Sequence, residues 1–78
     1  MIRITETTEL RQTVLRIDGR LTAEDVSVLD RKCSEVGRPH VLDVVGLQYA
    51  DALGSEKLRE LASSGVEIRG ASPDVITL

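Results

Sequence analysis

Ile2 and Ile4 alternate with Arg3 and Thr5, and Leu15 and Ile17 share one face of the run Thr13–Ile17. A period of two is the mark of a half-buried strand. The polar stretch Glu6-Thr7-Thr8-Glu9 between the two runs predicts a turn, so residues 2–17 are expected to form an antiparallel hairpin with a loop longer than two residues. Asp18-Gly19 breaks the second run, although Arg20-Leu21 extends it in strand-like form.

The period then changes. Val26, Leu29, Cys33 and Val36 recur at spacings of three and four, which is one apolar stripe on a helix. Thr22 stands at its N-cap, and Glu24 and Asp25 fill the first turn, where the helix dipole favours acids. Gly37 ends the helix and Pro39 keeps it from resuming. The run from His40 to Val45 is apolar on both faces and predicts a central strand, followed by a short connection over residues 46–50. Asp51 caps a second helix carrying Leu53, Leu58, Leu61 and Ala62, which Gly65 stops. Residues 66–69 alternate again as a strand, Gly70 to Ser72 turns, and Ser72 with Pro73 begins a last helix cut short at Leu78.

The expected order is strand, strand, helix, strand, helix, strand, helix. It predicts one α/β domain: a small mixed sheet of about four strands, with right-handed crossovers and helices packed on one face. Asp43 shares a face with Val41 and Val45, the face expected to lie away from the helices, and is read as a hydrogen-bonded structural carboxylate.

Composition narrows the chemistry. At 78 residues the chain buries only about 60 % of the surface its unfolded form exposes, too little for a deep multi-substrate site. Tyr49 is the only aromatic residue, so base-stacking platforms are missing, and the net charge of -3 gives no basic field for nucleic acid. Cys33 and His40 are the only soft ligands, too few for a closed metal site, and Cys33 on the apolar stripe is expected to be a core thiol. No nucleophile has a base tied to it by any motif, and no glycine-rich phosphate loop is present. No cofactor and no enzymatic activity are expected. No stretch approaches the ~20 apolar residues of a membrane helix. Without a signal-peptide layout at the start of the chain, the expected location is the cytoplasm.

The segment Val41 to Leu58 carries the most information. Leu42, Asp43, Gly46, Leu47, Tyr49, Asp51 and Gly54 fall in register with the strand–loop–helix pattern of the STAS domain, the fold of anti-sigma-factor antagonists, which this chain resembles. Residues 17–21 (Ile-Asp-Gly-Arg-Leu) resemble the family's second strand, and residues 66–73 its late strand and turn. The resemblance implies a bacterial, cytoplasmic, non-catalytic regulatory module that docks a protein partner, either an anti-sigma kinase or a transporter ATPase that it serves as a small subunit. The implied contact surface is Gln48, Tyr49, Asp51, Ala52 and Leu53 on the loop and helix start. Gly54, Ser55, Lys57 and Leu58 continue it along the helix.

Switch-type relatives place the phosphoacceptor serine directly after the capping aspartate. Ala52 stands there and has no hydroxyl, Leu53 replaces the second small hydroxyl residue, and Ser55 follows three positions further on. Two other expectations stand beside this one. The start of the second helix offers free N–H groups to a nucleotide phosphate or another anion, which would make the chain a small-ligand sensor. Exposed Val75, Ile76 and Leu78 on a short last helix would drive homodimerisation.

Overall fold

A computed structural model describes residues 2–37 and 39–70. The elements run β1 (Ile2–Glu9), β2 (Gln12–Leu21), α1 (Ala23–Glu35), β3 (Val41–Asp43), β4 (Leu47–Ala50), α2 (Ala52–Ser63) and β5 (Glu67–Arg69). The strands form one mixed sheet in the order β1-β2-β3-β5, with β4 also paired to β2. β1 is antiparallel to β2, and the other pairs are parallel. This is the expected α/β architecture in roughly the expected order. The last helix expected from Ser72 and Pro73, with its dimer contacts Val75, Ile76 and Leu78, lies outside the described residues.

Two local features differ from the pattern. The hairpin loop is only two residues, Leu10 and Arg11, with φ of 48° and 68°. Both values fit a type I′ turn, which matches strand twist but normally takes Asn-Gly. Residues 6–9 therefore stay in β1, each paired with β2 from Glu6↔Leu15 to Glu9↔Gln12. Their polarity reflects an edge strand, and the β-branched threonines favour extended backbone.

The second difference is β4. Residues 47–50 are a strand, parallel to the end of β2, with an irregularity at Gly19/Arg20. β2 spans ten residues, so β3 pairs with Val14–Arg16 and β4 with Gly19–Leu21 on the same edge. The amide of Leu47 donates to the carbonyl of Val44 at 3.0 Å and turns the chain between them. Gly19 (φ 102°) lies at the irregularity, in backbone that L side chains avoid.

Leucine fills the core. Leu15, Ile17 and Leu21 of β2, Leu42 of β3, Leu29 of α1 and Leu58 of α2 have no exposed surface, and Cys33 and Leu61 join them. Each buried leucine or isoleucine contributes roughly 1.5–3 kcal/mol, which lets a small core close without large aromatic side chains. The face away from the helices is not bare. Val14 and Val41, paired in register, are 2 % and 1 % exposed. Over that face Arg69 Nη1 of β5 lies 3.2 Å from Glu9 Oε1 of β1, reaching across β2 and β3. Asp43 accepts a hydrogen bond from the Val45 amide at 3.0 Å, the structural use expected of it.

Candidate functional site

β2 and β4 lie side by side, and each is followed at once by a helix: Leu21-Thr22-Ala23 and Ala50-Asp51-Ala52. The starts of α1 and α2 are therefore neighbours, at the carboxyl ends of parallel strands. In open α/β sheets this is where ligands are usually met. The Asp51 amide donates to the Leu21 carbonyl at 3.0 Å and fixes the second helix start to the end of β2.

Asp51 then serves both helices. Its Oδ1 accepts from the Gly54 amide of its own helix at 2.8 Å, and its Oδ2 accepts from the Ala23 amide of α1 at 2.8 Å. Free N–H groups at a helix start carry partial positive charge, so one carboxylate placed between two starts meets both dipoles. α1 has a further acid. Asp25 Oδ2 accepts from the Thr22 amide at 3.2 Å and the Thr22 hydroxyl at 3.0 Å. Burial pushes the Asp25 carboxyl up, hydrogen bonds from Thr22 pull it down, and the net direction is down.

Close approach requires glycine at position 54. A β-carbon there would lie 2.5 Å from the Leu21 carbonyl oxygen and 3.0 Å from Leu21 Cγ. The same glycine lets its amide reach Asp51.

Outside this corner, α1 and α2 leave a shallow groove of about 230 Å³ lined by Ala23, Val26, Leu53, Glu56, Lys57 and Glu60. Leu53 is 55 % exposed, directly beyond the Asp51 cap. Lys57 crosses the groove: its Nζ lies 2.7 Å from Asp30 Oδ1 on α1 and 3.2 Å from Glu60 Oε1 on α2. The hydrogen bond to Asp30 is the main reason that the Lys57 ammonium is held above the usual lysine range; burial opposes it and Glu60 adds to it.

The expected contact residues divide accordingly. Gln48, Tyr49, Ala52 and Leu53 are exposed, with Arg20 stacked 4.6 Å from the Tyr49 ring centroid. Asp51 and Ser55 are half-buried, and the Ser55 hydroxyl faces the Ala50 carbonyl at 3.5 Å. Two residues need correction as contact residues, and a third is tied down. Leu58 is wholly inside the core and Gly54 is buried against Leu21, whereas Lys57 lines the groove with its side chain only 11 % exposed and tied to Asp30. Leu53 and Ala62 also leave the expected apolar stripe of α2, which is Gly54, Leu58 and Leu61. Ala23, Val26, Glu56 and Glu60 join the site without a signal in the sequence. Val26 fits the α1 stripe expected to face the core, yet it lies at the groove.

Elsewhere, His40 is exposed and its Nδ1 accepts from the Thr13 amide at 3.0 Å, locking the ring to β2. Cys33 is a buried core thiol, as expected, and burial pushes it up. Among the described residues no group of His, Cys, Asp and Glu could hold a metal ion, and no helix is long and apolar enough to cross a membrane. No family model matches the chain, and no curated protein matches it either.

Proposed function

We propose that this chain is a non-catalytic regulatory module of the STAS type, which grips a protein partner at the corner where α1 and α2 begin. The observation that carries this reading is the double use of Asp51. Its carboxylate takes the Gly54 and Ala23 amides, while Leu53 beside it stays exposed above an apolar groove. A helix start tied to its neighbour through Asp51, with an outward leucine, suits contact with another polypeptide, because exposed apolar groups on fixed elements bind at low entropic cost. The apolar lining residues Ala23, Val26 and Leu53 would meet the partner's apolar side chains, with Gln48, Tyr49 and Ala52 adding contacts around the corner.

An anion sensor is the weaker reading. A phosphate on the remaining amides of this corner would sit beside the Asp51 carboxylate, which already holds the Gly54 and Ala23 amides at 2.8 Å, and would meet its charge repulsion. Ala52, with no hydroxyl, leaves no phosphorylation switch at the family's usual position. Binding would be constitutive or governed from the partner's side, with an anti-sigma kinase or a transporter ATPase as the partner class and the cytoplasm as the setting.

Purified anti-sigma kinases and transporter ATPase subunits, immobilised and probed with the chain, test this reading. Leu53→Glu is expected to lower the affinity of a bound partner at least tenfold, with an unchanged circular dichroism spectrum. Val28→Glu, at an exposed apolar site elsewhere on α1, is expected to leave binding intact. Equal binding by the wild type and Leu53→Glu would refute the assigned surface.

A further inference from the structure

β1 is an edge strand, paired to β2 along its whole length. The two-residue turn fixes which way its amides point. Glu9 and Gln12 flank the turn as a hydrogen-bonded pair. Alternation then aims the peptide groups of Arg3, Thr5, Thr7 and Glu9 at β2, and those of Ile2, Ile4, Glu6 and Thr8 outward. The strand holds neither proline, glycine nor a bulge over its eight residues, so it lacks several common guards against edge pairing.

We propose that β1 pairs antiparallel with β1 of a second copy, in the register that sets Arg3 opposite Glu9. The strand is charge-complementary to its own reverse in that register, and two-fold symmetry makes the ion pair twice. The outward peptide groups of Ile4, Glu6 and Thr8 then meet those of Thr8, Glu6 and Ile4 in the other chain. Leu10, 96 % exposed and the barest large apolar residue among those described, follows directly on the strand end, where Ile2 of the other copy begins.

Neighbouring registers lose these matches. Sliding by two residues sets Arg3 against Thr7 in one direction and past the end of the strand in the other. Sliding by one misaligns the outward peptide groups. The favoured register does set Glu6 against Glu6, but each has Lys32 Nζ of its own chain 3.4 Å away. Glu9 also keeps Arg69 at 3.2 Å through one oxygen, leaving the other for Arg3 of the second copy. Paired residues share a face of the joined sheet, so the helices of both copies lie on the same side. This interface is separate from the groove corner and does not depend on its role.

Sedimentation equilibrium across the micromolar range reads the result. The wild type is expected to dimerise. Arg3→Glu and Glu9→Arg are each expected to weaken dimerisation at least tenfold, because each sets like charges opposite one another. Mixing these two variants in equal amounts should restore a dimer. The introduced glutamate of one chain then faces the introduced arginine of the other, and the native Glu9 and Arg3 face each other at the second contact. Thr8→Pro, which removes an outward N–H without touching the β2 ladder, should be monomeric with native circular dichroism. A wild type that stays monomeric overturns the proposal. So does a dimer that survives Arg3→Glu, or a pair of variants that fail to complement.

Discussion

Asp51 Oδ2 lies 2.8 Å from the amide nitrogen of Ala23, although 28 residues separate them in the chain. Asp51→Ala therefore removes a cap from α2 and a charged acceptor from α1 together. A lost N-cap costs about 1 kcal/mol and a lost hydrogen bond to a charged group about 1.5–3 kcal/mol. Partial exposure of the site favours the lower end, so urea denaturation is expected to show a loss of about 2–3 kcal/mol. Asp51→Asn keeps one acceptor oxygen and should lose about half as much.

Gly54→Ala sets two effects against each other. Alanine in a helix gains roughly 1 kcal/mol over glycine. A β-carbon 2.5 Å from the Leu21 carbonyl oxygen forces backbone apart, and overpacking of that kind costs about 1–3 kcal/mol. The clash is with backbone on one side and the Asp51 cap on the other, so it wins. Thermal denaturation should show a lower midpoint for Gly54→Ala, where an open helix site would show a higher one.

The hairpin turn offers a gain. Leu10 and Arg11 both occupy left-handed backbone, which costs an L-residue roughly 1–2 kcal/mol each. Leu10→Asn combined with Arg11→Gly supplies the residues that a type I′ turn prefers. Stability to urea is expected to rise by about 1–2 kcal/mol, measured at protein concentrations low enough to keep the chain monomeric.

Two charged groups give opposite pH signatures. The folded state raises Lys57, so its contribution is fully present below the ordinary lysine range and is lost as pH climbs through the folded-state value. The folded state lowers Asp25, so its contribution is present above the ordinary carboxylate range and is lost as pH falls through the folded-state value. Urea titrations of Lys57→Met should show a deficit that shrinks at strongly alkaline pH. Those of Asp25→Asn should show a deficit that shrinks at strongly acidic pH.

Local chemistry makes much of the fold legible in the sequence. Thr22 and Asp51 announce both helix starts because capping is a contact within one turn, and Gly37 and Gly65 mark both ends. β4 escapes because Leu47–Ala50 is four residues long and only half-buried, too short for alternation to register. The turn at Leu10 escapes because the residues there are not those its backbone prefers. The candidate site is legible in place but not in detail. Asp30 with Lys57, like Asp51 with Ala23, meets only through packing of α1 on α2, and no spacing along the chain encodes such a pair. Leu58 is misplaced for the same reason: its exposure depends on which side of α2 meets β2.

The central claim is that one carboxylate holds both helix starts and so builds the corner. Native-state hydrogen exchange of Asp51→Ala, read residue by residue, tests it most directly. The account predicts that protection falls at Gly54 and at Ala23 together, while Leu42 in the central strand falls only by the global loss of stability. Faster exchange at Gly54 with Ala23 unchanged would contradict it.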